Sequence, residues 1–196
     1  MAPDGFLVNE QQAECDAASA PPLPDVFDPL VNAFWAYWVS LPKQGAVPHL
    51  SDYLDRVPPN LQPTVAIVDV YSPVDMRVRL FGTALVDLIA VELTGREALS
   101  IYAPESHAAA GSMAWEAVNR PCGYLCKRHF RSHAGMMVTA PGIALPVESN
   151  RFECRTVINF TNLSQAVMSL GAEPKLQVVH DIEHVGWIDI GAGTPN

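Results

Sequence analysis

The chain of 196 residues carries 12 Lys+Arg against 21 Asp+Glu, a formal net charge of −9, with 49 % hydrophobic and 17 % charged residues. That length suits one domain with a single core, and the apolar share excludes a disordered chain. The acidic balance argues against a nucleic-acid partner, and no uncharged run reaches the roughly 18 residues of a membrane-spanning helix.

The first 20 residues, MAPDGFLVNEQQAECDAASA, lack the basic and apolar regions of a secretory signal. Four cysteines (Cys15, Cys122, Cys126 and Cys154) are too few for a disulfide scaffold at this length. Both observations point to a soluble, cytoplasmic domain. Seventeen prolines punctuate the chain, and because proline breaks helix interiors and central strands they mark element boundaries.

Residues 1–24 are Ala-, Pro- and Gln-rich without periodicity and read as a flexible leader. Asp28-Pro29 is an N-cap followed by a first-turn proline. Leu30, Ala33, Phe34, Tyr37, Trp38 and Leu41 then recur at helical spacing, which predicts a helix over Pro29–Leu41. Phe34, Trp35, Tyr37 and Trp38 spread over more than one helix face. One stripe is expected to dock on the domain while Val31, Trp35 and Trp38 form a homodimer interface. The competing expectation is that the tail, Leu176–Ile190, folds back over Trp35.

Residues 42–63 read as connection. Val65–Tyr71 is β-branched and predicts a strand. After the turn residues Ser72-Pro73-Val74-Asp75, the run Met76–Phe81 alternates strictly, which predicts a hairpin partner with Met76, Val78 and Leu80 on one face. Thr83 is a cap candidate for a helix over Ala84–Leu93, and a second helix runs from about Glu105 to Asn119. The second helix carries an apolar face of His107, Ala110, Met113, Ala114, Ala117 and Val118. Gly123–His133, Ile143–Val147 and Cys154–Leu163 complete a set of five strands. Short polar turns between strands imply antiparallel pairing, so the fold class is α+β. The alternation places Tyr124, Cys126, Phe130, Leu145, Ile158 and Phe160 on the same core face as Met76, Val78 and Leu80. Residues 25–163 form the domain, and 164–196 a C-terminal extension that includes an amphipathic strand or short helix.

Two clusters suggest metal chemistry. Cys122, Cys126, His129 and His133 are the residue types of a zinc site, and they would share one face of a helix. On a strand the two cysteines point one way and the two histidines the other, so one ion cannot take all four. His180-Asp181-Ile182-Glu183-His184 matches an inverted zincin pattern, but that chemistry needs a helix, and here His180, Ile182 and His184 alternate with charge. No serine elbow, phosphate-binding loop or dinucleotide fingerprint occurs. His107, on the apolar face of its helix, is the one titratable residue singled out.

Arg79-Leu80-Phe81-Gly82-Thr83, followed by Leu93-Thr94-Gly95-Arg96, resembles the alphaproteobacterial PAS-type family PAS_5. The family shows a Trp-containing helix, an "lldv" strand, "yRl.Gt", "ltGr" and a late "lPl" strand. Here these are Phe34–Trp38, Val65–Val70, Arg79–Thr83, Leu93–Arg96 and Ala144–Val147. The resemblance spans about residues 30–163. It implies a five-stranded antiparallel sheet with helices on one face, preceded here by the N-terminal helix, and a pocket between sheet and helices. It also implies a non-enzymatic sensor or protein-interaction module in signalling. Asn150–Arg155 is similar to the flavin-photosensor cysteine motif, but its cysteine opens the last strand instead of lying on a helix. Haem-binding members carry a histidine on the long helix, near the place of His107. No cofactor is named by these residues. Small side chains opposite bulky ones suggest a ligand pocket lined by His107, Met113, Tyr124 and Phe130. The alternative reading is a small metal-dependent enzyme built on Cys122, Cys126, His129 and His133.

Overall fold

A computed structural model describes residues 23, 27–43, 45–132, 135–164, 166, 168 and 176–195. β1 (Val65–Ser72), rich in β-branched residues, pairs across a tight turn with β2 (Asp75–Phe81), an alternating apolar and charged run. β3 (Cys122–Ser132), β4 (Met137–Val147) and β5 (Arg155–Thr161) form an antiparallel meander, and β5 joins β1. A sixth strand, β6 (Leu176–Asp189), pairs with β3 at the edge. The sheet order is β2-β1-β5-β4-β3-β6, and every pairing is antiparallel. The expected antiparallel α+β sheet is present, with six strands instead of five because part of the C-terminal extension is a strand.

Helices cover both faces. α1 (Pro29–Ser40) and α2 (Leu50–Arg56) lie over one; α3 (Thr83–Ile89) and α4 (His107–Asn119) lie over the other. α2 falls where only connection was expected; His49 caps it through Nδ1, which accepts from the Ser51 N–H at 3.2 Å. α3 stops at Ile89, short of the expected Leu93, because Ala90 takes a left-handed conformation (φ 55°). α4 is preceded by a 3-10 turn over Pro104–Ser106, which moves its start from Glu105 to His107.

The sheet therefore has two buried faces, and the single core face expected from alternation divides. Met76, Val78, Tyr124, Cys126 and Phe130 pack under α3 and α4. Leu145, Ile158 and Phe160 pack under α1. Leu80 leaves the side of Val78 because the register shifts: Val68 pairs Val78 while Ile67 pairs Leu80, and Arg79 is the extra residue of a bulge.

The Asp28 cap is as expected: its Oδ1 accepts from the N–H groups of Leu30 (2.9 Å) and Val31 (3.1 Å). The exposed aromatic patch on α1 is not. Val31, Trp35 and Trp38 are only 0, 7 and 1 % exposed, so they belong to the chain's own interior and form no exposed patch. The physical reason is that α1 sits on a sheet face that is itself apolar. Phe34 stacks on Phe160 (ring centroids 4.8 Å apart), and the Trp38 indole N–H donates to the Pro146 carbonyl at 3.3 Å. Ile188 of β6 joins this cluster. Of the leader only Leu23 is described, and it is buried in the same cluster; the rest lies outside the described residues.

Candidate functional site

Between the sheet and α3/α4 lies a cavity of about 70 Å³. Its roof is apolar: Leu85, Leu88 and Ile89 from α3, and the small Ala110 and Ala114 from α4. Its floor alternates out of β1, β2, β3 and β5. Val179 of β6 closes one side, fixed by the Ala103 N–H donating to the Val179 carbonyl at 2.9 Å. Five polar side chains face the space: Tyr102, Tyr124, Arg128, Asn159 and Thr161.

Arg128 organises that polar side. It occupies the same parity on β3 as Tyr124, Cys126 and Phe130, so the strand carries it inward; it is 5 % exposed. β4 separates β3 from β5, and the Arg128 side chain crosses it. Nη1 donates to Thr161 Oγ1 at 3.0 Å, and Nη2 donates to Asn159 Oδ1 at 3.0 Å. Nε makes a longer contact, 3.5 Å, to the Tyr102 hydroxyl. The Tyr124 hydroxyl donates to the same Asn159 Oδ1 at 3.4 Å. The crossing is possible because Gly142 stands beneath it: a Cβ there would collide with Arg128 Nη1 and with the Phe160 carbonyl oxygen. Glycine here is a matter of space.

Burial opposes the Arg128 charge, while Cys126, Tyr102 and Tyr124 favour it once they ionise, so the net direction is upward and the guanidinium keeps its charge. Burial raises the Tyr124 hydroxyl well above the ordinary tyrosine range, with Cys126 adding to it. Burial likewise raises the Cys126 thiol against the opposing pull of Arg128, and it pushes Cys122 up to about 11. At neutral pH the wall thus presents one cation among neutral hydroxyls, amides and thiols. A lone buried charge costs on the order of several kcal/mol unless something compensates it.

Of the four pocket residues named from sequence, Tyr124 and Phe130 line the cavity. Met113 is buried in the surrounding core but is not part of the wall. His107 is half-buried at the start of α4, outside the lining, where its Nε2 bonds the Tyr102 carbonyl at 3.0 Å. Sequence reading missed Arg128, Asn159 and Thr161, although the parity of Arg128 with Tyr124 and Phe130 was visible.

The cluster proposed for metal is not assembled. Cys122 and Cys126 are buried on the cavity face. His129 faces the other way, bonding Thr139 Oγ1 at 2.9 Å with Glu183 nearby. His133 lies outside the described residues. Among the described residues no group of three or more His, Cys, Asp or Glu is placed to hold a metal ion. His180–His184 is strand, without the helix that an inverted zincin needs. Cys154 precedes β5 and forms no part of the cavity wall.

The sequence model of the PAS domain family PAS_5 matches residues 27–158. No curated protein matches the chain. Among solved structures, a fungal LOV domain photoreceptor is similar at 13 % identity, TM-score 0.40, over 54 % of this chain and 77 % of its own. An RNA-binding light-oxygen-voltage receptor is similar at 16 % identity and TM-score 0.42, over 64 % of this chain and 36 % of its own. The VqmA dimer of Vibrio cholerae, described with LuxR-type receptors, is similar at 13 % identity and TM-score 0.37, over 56 % of this chain and 50 % of its own. The chain thus spans well under two thirds of the last two. No helix among the described residues is long and apolar enough to cross a membrane.

Proposed function

The chain belongs to the PAS domain family PAS_5, and from that premise we propose that it is a non-enzymatic sensor or interaction module in signalling whose cavity takes a small ligand. The observation that carries the reading is the cavity itself. It combines an apolar roof, given room by the small Ala110 and Ala114, with convergent polar groups along its wall, the usual make-up of a small-molecule site. Tyr124 and Phe130 are proposed as ligand contacts.

The functional unit is proposed as residues 25–163, after a leader over 1–24 and before an extension over 164–196 that adds a wall through Val179. A cytoplasmic setting is supported by the free thiols of Cys122, Cys126 and Cys154. The net charge of −9 works against nucleic acid as a partner. A homodimer through α1 has lost its supporting observation, because the aromatic face is spent on the chain's own sheet.

Native mass spectrometry of freshly purified protein tests the reading. A small molecule retained at one per chain, displaced when Ala114→Leu fills the cavity, is the expected result. An empty cavity together with no thermal shift from any compound that the wild type and Ala114→Leu can be compared on would overturn it.

A further inference from the structure

We propose that the cavity is a site for a small monocarboxylate with an apolar body, its carboxylate seated on Arg128. This rests on the reading of the cavity as a ligand site and names the class of ligand.

Two other arginines of this chain, one half-buried and one exposed, share a carboxylate partner. Arg79, 21 % exposed at its side chain, is paired with Asp69 at 2.6 Å, and Arg151, more exposed still, reaches the same carboxylate at 3.1 Å. Arg128 is more deeply buried than either, yet among the described residues no Asp or Glu pairs with it. Its acceptors are an alcohol, an amide oxygen and a distant phenol. A guanidinium has five N–H donors in a planar fork. The described protein acceptors use one on each terminal nitrogen and, weakly, the one on Nε. One hydrogen on each terminal nitrogen is left without a described protein acceptor and the Nε hydrogen is held only weakly, so the guanidinium can still donate charge-assisted hydrogen bonds to a carboxylate.

The seat is built for a fixed guanidinium. Gly142 leaves the groove in which it lies, and Asn159 and Thr161 hold its far side. Asn159 is itself fixed by Tyr124. One positive charge calls for one negative charge, which favours a monoanion over a phosphate or a dicarboxylate. The remaining wall, with Val68, Val78, Leu88, Ala114 and Val157, asks for an apolar body. A volume of about 70 Å³ keeps that body small.

The test compares matched compounds on the wild-type protein by thermal shift and calorimetry: benzoate with benzamide, and hexanoate with hexanamide. The expected result is that each acid binds and stabilises while its amide binds about tenfold more weakly or worse. Arg128→Met should abolish the difference between acid and amide, with circular dichroism confirming its fold; Thr161→Val, which only loosens the seat, should narrow it. Acid and amide binding equally well would overturn the carboxylate assignment and leave the cavity as a ligand site. Binding of neither, with native mass spectrometry showing a tightly held compound that is not an acid, would overturn it in the same way. Binding of neither to a protein shown to be empty would overturn both readings.

Discussion

Arg79 grips Asp69 with two hydrogen bonds, Nη2 to Oδ1 at 2.6 Å and Nε to Oδ2 at 3.1 Å, and it does so from the bulge of β2. Asp69 is 1 % exposed, and Thr156 Oγ1 donates to it as well, at 3.0 Å. Removing the arginine of this pair leaves the buried carboxylate to Thr156 and to the exposed guanidinium of Arg151. Arg79→Met is therefore expected to cost about 3 kcal/mol or more. Arg151, 58 % exposed at its side chain, touches the same carboxylate, but Arg151→Met should cost under about 1 kcal/mol. Urea unfolding of both variants checks the ordering, and equal losses would contradict the account of Asp69.

The burial of Trp35 yields a second prediction. Its ring stacks on Trp38 with centroids 5.6 Å apart and planes 11° from parallel. Trp35→Glu places a charge in that stack and should lower stability by about 3 kcal/mol or more. A protein that stays as stable as the wild type and changes only its sedimentation would restore α1 as a surface between copies.

A third prediction concerns pH. Partial desolvation beside Trp187, whose ring centroid lies 4.5 Å away, lowers the pKa of His184 although the residue as a whole is exposed. The folded state thus binds the proton less readily than the unfolded chain, where the ordinary value of 6.5 applies. This contribution is whole above that value and is lost as pH falls through the lower folded one. His184→Gln should flatten the decline in melting temperature between about pH 7 and pH 5 relative to wild type. An identical decline in both proteins would show that other groups carry it.

Much of the sheet was legible in the sequence, and the parts that were not share a cause. Alternation reports which side chains share a face, not how many faces are wet. In β4, Ile143 and Leu145 alternate with Ala144 and Pro146, apolar at both parities, which is the mark of a strand covered on both sides. A single wet face implies a single core and leaves the aromatics of α1 without enough sheet to cover. The bulge at Arg79 depends on the partner strand, so alternation alone puts Leu80 on the wrong side. Arg128 had the parity of a core residue. Its seat, however, is made by Gly142, Asn159 and Thr161 on two later strands, and only the register brings them beneath it.

The bond from Trp38 to Pro146 joins positions 108 residues apart. On a ribosome adding roughly 5–20 residues per second, α1 emerges several seconds or more before the surface that covers it exists. Throughout that interval the uncharged stretch Pro29–Pro42, with its two indoles, is a bare apolar segment. It has to be shielded by a chaperone or held transiently by nearer parts of the chain. Packing of α1 is thus a late step that closes long loops, and such topologies fold slowly for their size.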